Sequence, residues 1–463
     1  MIGRREEQRI LRNAAAKEDA QFVAVYGRRR VGKTWLIRET FEGAFTFAYT
    51  GIAGVNAKKQ LAEFARALRE FGWDGTDVPA NWFDAFDTLR SLLARSAEKR
   101  RVVFIDELPW MDNKRSDFVP ALEHFWNGWG AGEKRLTFII CGSAAAWITK
   151  KVFRNRGGLY NRVTQQIALK PFTLGECRAF FDANDIRMNE YDMVVCYMVF
   201  GGIPYYLNLL DSRYSLQQNV DRLCFAENAP LQHEYDTVFA SLFSHPEKYA
   251  EVVEAARRRR QGISREEISA KVGFPDGGNL TRILKELEES GFLRQYAPFG
   301  RRRNGALYQL CDPFSAFHLE WMGKGAGSEN YWSSGSGSGA RRAWQGYAFE
   351  QVCLAHVPQI KAALGISGVL TSAGAWRGES AQIDLVLDRN DGIINLCEMK
   401  FAEGQFSIDR KYDLALRDKR EAFQQKTKTK KALHLTMVTT YGVAQNKYSQ
   451  VFQSEVQMED LFV

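Results

Sequence analysis

Apolar and polar positions divide the chain into stretches of different character. Over the first 150 residues the apolar runs QFVAVYG, AFTFAYT, RVVFIDE and LTFIICGS alternate with helix-length segments. Short apolar runs separated in this way predict a parallel sheet, buried on both faces and covered by helices. Residues 171–240 lack strand-like runs and read as helices. The stretch 245–318 is mixed. SREEISAKVG carries Ser264 with Glu267 three residues on, the pattern of a capping box at a helix start. In NLTRILKELEESGFL, Leu280, Ile283, Leu284 and Leu287 recur at the spacing of one helix face. LRQYAPFGRRRNGALYQL then reads as a hairpin with Arg301, Arg302 and Arg303 at its tip. GKGAGSENYWSSGSGSGARR, residues 323–342, is rich in glycine and serine and reads as a linker or long loop. Beyond it come a helix, RRAWQGYAFEQVCLAH, the strands ISGVLTSAGAWRG, AQIDLVLD and INLCEMKF, and a charged helix, KYDLALRDKREAFQQKTKTKK.

Length and composition bound these readings. A chain of 463 residues exceeds one ordinary core, so about three domains are expected. With 45% hydrophobic and 25% charged residues it has a globular composition. No apolar run reaches bilayer length, and MIGRREEQRI lacks the apolar core of a signal peptide, so a cytoplasmic location and no membrane partner are expected. The seven cysteines stand at no metal-ligand spacing and read as reduced thiols, with no zinc site. The formal charge of +8 permits a polyanionic partner without requiring one.

Two segments carry recognisable chemistry. The first is GRRRVGKT, residues 27–34, between a strand and a helix. It fits the phosphate-binding pattern G-x-x-x-x-G-K-[ST] in its required context. Gly27 and Gly32 let the backbone curl so that the N–H groups of Gly27, Arg28, Arg29, Arg30, Val31 and Gly32 face phosphate oxygens. Lys33 reaches the β- and γ-phosphates, and the Thr34 hydroxyl holds Mg²⁺. The expected cofactors are therefore ATP and Mg²⁺. About 70 residues on, RVVFIDE ends an apolar strand in two acids. Asp106 is the candidate for the Mg²⁺ shell and Glu107 for orienting or activating the attacking water. Ser143, ending LTFIICGS, is placed to sense the γ-phosphate or to cap its strand. Arg162, in GGLYNRV, is a candidate phosphate contact in its own subunit or in a neighbour's, or else a solvated side chain. A homo-oligomer is the partner arrangement that the neighbour role would need.

The second segment is INLCEMKF. Strand alternation places Glu398 and Lys400 on one face with Ile394 and Leu396. Glu350 lies on the preceding helix and Asp384 early in the preceding strand. Helix with Glu, strand, strand with Asp, strand with Glu-x-Lys is the order of a restriction-endonuclease-like fold. Asp384 and Glu398, with Glu350, are the candidate Mg²⁺ ligands, and Lys400 would stabilise charge on a scissile phosphate. The plainer alternative for the Glu398–Lys400 pair is an exposed charge pair across strands.

The element order of 245–318 is that of a winged helix. DNA contact would fall on Arg282 and Lys285, at the amino end of the 279–291 helix, and on Arg301, Arg302 and Arg303 of the wing. The alternative is a module that packs against the rest of the protein.

The motifs GRRRVGKT, VVFIDE, ICGS, GLYNR, LKPF and GGIPYYL, in that order, resemble the archaeal-type AAA+ ATPase family, which also occurs in bacteria and is related to STAND NTPases and origin-recognition ATPases. The resemblance covers about residues 1–320. It implies that IGRREEQ lies against the adenine. It also implies that GGIPYYL is a Gly-x-Pro lid motif, standing where many AAA+ proteins have a sensor arginine, which fits slow hydrolysis used as a switch. The C-terminal segment resembles a nuclease-like domain of unknown function found on many members. The expected architecture is α/β. It comprises a P-loop NTPase (AAA+-like) parallel-sheet core (1–170), a helical lid (171–244), a winged helix (245–322), a Gly/Ser-rich linker (323–341) and a restriction-endonuclease-like α/β domain (342–463). The expected function is an ATPase that couples nucleotide state to DNA binding, with metal-dependent cleavage at the second site. The alternative is a nucleotide-gated regulator whose nuclease-like tail is inactive.

Overall fold

The computed structural model describes residues 2–113, 116–154, 157–259, 261–299, 305–325, 327–378 and 381–463. Arg301, Arg302 and Arg303, the expected wing tip, lie outside the described residues. The chain divides into two compact units, Met1–Pro171 and Phe172–Val463. No helix among the described residues is long and apolar enough to cross a membrane.

The first unit is built on five strands: β1 (Gln21–Tyr26), β2 (Phe47–Thr50), β3 (Arg101–Asp106), β4 (Leu136–Gly142) and β5 (Gln165–Ala168). They pair in the order β2-β3-β4-β1-β5, and every pairing is parallel. The expected parallel sheet is present. β4 is buried along its whole length, as a central strand covered on both faces must be. One face packs against a cluster of rings. Phe22 meets Trp126 at 4.8 Å between centroids, and Trp82 meets Phe118 at 4.9 Å. Each fully buried ring of this size contributes roughly 1.5–3 kcal/mol of transfer free energy. The register pairs Tyr26 with Gly142 and Thr50 with Asp106. The carboxyl ends of β1, β3 and β4 therefore open at one edge, where open α/β sheets place ligand sites.

The second unit begins with helices, among them Leu174–Ala183 and Glu190–Phe200. Next come the helix Pro246–Arg257, strand β6 (Ile263–Ser264), the helices Arg265–Val272 and Gly278–Glu289, and strands β7 (Leu293–Tyr296) and β8 (Leu307–Leu310). The three strands pair in the order β6-β8-β7, antiparallel throughout. The capping box forms: Ser264 accepts from the Glu267 amide and Glu267 accepts from the Ser264 amide. Leu280, Ile283, Leu284 and Leu287 are all buried, as their spacing requires.

The Gly/Ser-rich segment 323–341 is more ordered than a linker would be. It carries the short helix Tyr331–Ser334 and buries Trp332, only 2% exposed. The Arg341 guanidinium sits 3.8 Å from the Trp332 ring centroid. Asp221 accepts from the amides of Trp332 at 2.6 Å and Ser333 at 3.0 Å. One aromatic and two ionic side chains anchor a segment whose composition reads as flexible.

The last part of this unit is a second five-stranded sheet: β9 (Thr371–Arg377), β10 (Gln382–Arg389), β11 (Ile393–Lys400), β12 (Ala432–Thr439) and β13 (Ser454–Gln457). The order is β13-β12-β11-β10-β9. β9, β10 and β11 form an antiparallel meander, whereas β11, β12 and β13 are parallel. The parallel step from β11 to β12 needs a crossover, supplied by the helix Arg410–Thr427. Ile394 and Leu396 of β11 share a buried cluster with Leu416 and Phe423 of that helix.

Candidate functional sites

At the open edge of the first sheet, the backbone leaves β1 into the 27–32 loop and enters the helix Lys33–Thr40. Gly27 has φ +144°, and a Cβ there would stand 2.2 Å from the Leu169 carbonyl oxygen. Only glycine fits this close approach. Gly32, at φ +87°, turns the chain into the helix, whose N-terminus has no side-chain cap. Uncapped first-turn N–H groups and the helix dipole make such an end a ready anion site. Arg28 and Val31 are buried, and Arg30 takes a left-handed conformation.

The P-loop meets the acid that ends β3 through Thr34. Lys33 Nζ donates to the carbonyls of Gly27 at 3.0 Å and Arg28 at 2.8 Å. Thr34 Oγ1 donates to Asp106 Oδ2 at 2.6 Å. The other Asp106 oxygen accepts the Glu107 amide at 2.9 Å. Glu107, at φ +49°, turns towards the neighbouring strand end, where its Oε2 accepts from the amide of Ser143 at 3.1 Å and its hydroxyl at 2.8 Å. Thr34, Asp106, Glu107 and Ser143 are thus joined by hydrogen bonds, and Lys33 adjoins Thr34 at the start of the helix. Arg162 is exposed on the turn before β5. Among the described residues no hydrogen bond joins its side chain to this group. Arg4 was not singled out by sequence, yet it is buried at φ 57°, and its guanidinium donates to the Lys170 carbonyl at 2.6 Å. A left-handed arginine in a polar opening segment gives no sequence signal.

The second constellation lies at the ends of β10 and β11. Leu385 pairs with Cys397, so one further step of the antiparallel register sets Asp384 opposite Glu398. Glu398, 7% exposed, shares its face with Ile394 and Leu396 as alternation predicts. Its Oε1 lies 3.1 Å from Lys400 Nζ and accepts from the Tyr412 hydroxyl at 2.8 Å. Its Oε2 accepts from Lys419 Nζ at 2.7 Å. Burial pushes the Glu398 carboxyl up, but Lys400, Lys419 and the hydrogen bonds outweigh it and hold the group below the usual range. Asp384 moves the other way. Burial and the charge of Glu398 raise it, and Lys419, Lys400 and a 3.2 Å hydrogen bond from Gln382 only partly offset them. Environments that drive paired carboxylates apart are typical of acid–base and metal sites.

Glu350 lies on the helix Gly339–Ala355 and, with Asp384, lines a cavity of about 420 Å³. Among the described residues no three His, Cys, Asp or Glu side chains stand close enough together to hold a metal ion. The oxygens suited to Mg²⁺ here belong to Asp384 and Glu398, with Lys400 and Lys419 competing for Glu398. Tyr412 and Lys419 were missed by the sequence reading. The signal was present: Tyr412, Leu416, Lys419 and Phe423 form one helical stripe, and a lysine interrupts its buried part.

The candidate DNA residues of the Gly278–Glu289 helix have partners of their own. Arg282 donates to the Tyr249 hydroxyl at 2.7 Å, to Glu286 at 3.1 Å and to Asn279 at 2.9 Å. Lys285 stands 3.9 Å from Glu289.

Comparison with known proteins bears mainly on the first unit. Residues 1–210 match the model of a family described as an ATPase domain predominantly from Archaea. That match, with the parallel sheet and its loop, supports a P-loop ATPase domain there. An uncharacterized protein of Methanocaldococcus jannaschii is 23% identical over 414 residues, covering 87% of this chain and 88% of its own length. Among solved structures, a Walker-type ATPase of Pyrococcus abyssi aligns over 69% of this chain and 96% of its own, at 16% identity and a TM-score of 0.47. The ORC2 protein of Aeropyrum pernix aligns over 68% and 92%, at 14% identity and a TM-score of 0.44. Likenesses at these scores carry no further weight.

Proposed function

We propose that the protein is an ATP-binding, slowly hydrolysing ATPase of the AAA+/STAND-related kind, whose nucleotide state is coupled to nucleic-acid binding by the second unit. The observation that supports it most strongly is the Thr34–Asp106 hydrogen bond beside an uncapped helix start and a loop that only glycine can close. Hydroxyl and carboxylate, 2.6 Å apart, form an oxygen donor set suited to Mg²⁺.

In this mechanism Lys33 exchanges its bonds to the Gly27 and Arg28 carbonyls for the β- and γ-phosphates. Thr34 and Asp106 would hold Mg²⁺, which when bound would neutralise charge on the triphosphate. Glu107 orients the attacking water and accepts its proton. Its bonds from Ser143 keep the carboxylate turned towards β4 until a γ-phosphate would take the Ser143 donors and a water would donate to the carboxylate. Release of Glu107 Oε2 from Ser143 would be an added step before hydrolysis, which supports the slow-switch reading. Arg162 is available to a phosphate from its exposed turn.

At the second site Asp384 and Glu398 would hold Mg²⁺ and Lys400 would stabilise charge on the phosphate, with Glu350 at the cavity wall, for a hydrolysis in which water adds to phosphorus and one ester oxygen leaves as an alcohol. A regulator with an inactive tail is the second reading, favoured by the saturation of Glu398 by Lys400, Lys419 and Tyr412.

The primary reading is tested by titrating a fluorescent ATP analogue with Mg²⁺ into the full chain and its Lys33→Ala variant. Binding by the parent and its loss in the variant are expected. Absence of binding by the parent, or unchanged affinity in the variant, overturns the reading.

A further inference from the structure

The Gly278–Glu289 helix, where a winged helix would read DNA, spends Arg282 on Tyr249 and Glu286. Positive charge in this unit also collects elsewhere. The cavity holding Glu350 and Asp384 is walled by β7 and β9 and lined by Arg294, Tyr296, Tyr347 and Trp376. A second cavity, about 410 Å³, shares Gln261, Tyr347 and Arg377 with the first. Its wall carries Arg257, Arg258, Arg259 and Arg377 against Glu320.

The partners of these arginines differ in kind. Arg257 is bound by Glu254 and Glu320, and Arg258 by Glu254. Arg259 approaches Glu267 only at 3.5 Å, with half its side chain exposed. Arg377 is exposed at the end of β9. Arg294 is held by amide oxygens, Gln309 at 2.6 Å and Gln351 at 2.6 Å. Neutral acceptors orient a guanidinium and leave its charge intact, the condition for binding an anion with a preset donor.

The volume decides which polyanion fits. A cavity of about 420 Å³ is the size of a small-ligand pocket and takes one nucleotide, whereas a duplex is far too wide for it. Aromatic walls beside an arginine track are the elements that bind single strands, with bases on rings and phosphates on guanidiniums.

We propose that the two adjoining cavities receive a single-stranded nucleic-acid segment. Its phosphates lie along Arg259, Arg377 and Arg294, a base rests against Tyr296 or Tyr347, and a phosphodiester is delivered to the Asp384 end. This rests on the reading that the second unit engages nucleic acid, but it requires no cleavage. In it the β6-β8-β7 module serves as a wall of the site instead of reading a duplex through its Gly278–Glu289 helix.

The test is fluorescence anisotropy of the full chain with labelled oligo-thymidylate, oligo-uridylate and a DNA duplex of equal length. Single strands should bind at least about tenfold more tightly than the duplex, and the DNA and RNA arms identify the natural strand. Arg377→Glu and Arg259→Glu should each weaken single-strand binding about tenfold, while Arg187→Glu, an exposed reversal outside the cavities, leaves it within about twofold. Arg377→Gln should lower the salt slope by about 0.7, one phosphate contact on a single strand. Photo-crosslinking of the parent protein to an iodouracil strand needs no variant to fold and should map to Tyr296 or Tyr347. Tighter duplex binding, unchanged affinity in folded Arg377→Glu, or crosslinks confined to the Gly278–Glu289 helix would each overturn the proposal. Single-strand binding without cutting would uphold it and remove the nuclease reading alone.

Discussion

Thr34 and Asp106 are 72 residues apart in sequence and 2.6 Å apart in space, hydroxyl to carboxylate, at the mouth of the first sheet. Asp106 ends β3, whereas Thr34 lies in the first turn of the helix that follows β1, and β4 stands between those two strands. Asp106 is 2% exposed, so losing its partner leaves a buried acceptor short of one hydrogen bond. Thr34→Val should cost about 1.5–3 kcal/mol by denaturant unfolding, the range for a bond to a charged group. It should also abolish the Mg²⁺-dependent part of ATP affinity. A variant as stable as the parent would show that this bond carries no net energy.

The two glycines of the loop should differ in what they tolerate. A methyl at Gly27 collides with the Leu169 carbonyl at 2.2 Å, and backbone oxygen cannot swing away. At Gly32 a methyl meets nothing within 4 Å, and only its φ of +87° is strained. Gly32→Ala should therefore cost about 1–2 kcal/mol, and Gly27→Ala more than about 3 kcal/mol. Paired urea melts decide the order.

At the second site, on the cleavage reading, Lys419→Ala should free Glu398 Oε2 for the metal and lower the Mg²⁺ concentration at which cutting half-saturates. Asp384→Ala and Lys400→Ala should abolish cutting. Asp384 is raised above the carboxylate range by burial and by Glu398, so cutting should climb with pH beyond the range where an exposed aspartate has already ionised. A flat pH profile over that interval would remove Asp384 as a metal ligand.

His356 makes the second unit acid-sensitive. It is 1% exposed, its Nε2 accepts from the Leu174 amide at 2.9 Å, and its Nδ1 faces the Val352 carbonyl at 2.8 Å. The neutral ring protonated on Nδ1 satisfies both partners. Burial lowers its pKa below the ordinary 6.5, and the Val352 bond offsets this only in part. A depressed histidine gives its full stability above the unfolded value and loses it as pH falls through the folded one. Stability should decline below about pH 6.5, by at most about 1.4 kcal/mol per pH unit from this one group. His356→Gln should flatten that decline in denaturant melts taken at several pH values.

The elements were legible where one local rule dominates. Uninterrupted apolar runs such as LTFIICG can only be strands covered on both faces, and β4 is one. GRRRVGKT carries its chemistry in residue types that have few other uses in that order. Trp332 escaped because glycine and serine around it signal flexibility, while its anchor, Asp221, lies 111 positions away in sequence. Lys419 escaped because a lysine on a charged helix is ordinarily solvated, and only the crossover from β11 to β12 turns it onto Glu398.

By itself, then, the sequence determined the strand–loop–helix that can hold a triphosphate, the acids that follow it, and the alternation that keeps Glu398 on a buried face. These are set by backbone sterics and by periods of two and of 3.6 residues, which act over a few neighbours. Only the tertiary structure decided that Glu107 is tethered to Ser143, that Lys419 and Tyr412 complete the Glu398 site, and that Arg294 and Arg377 face one cavity. Those relations join residues whose separation in the chain leaves no local trace. They exist because sheet order and a crossover helix fix which ends meet.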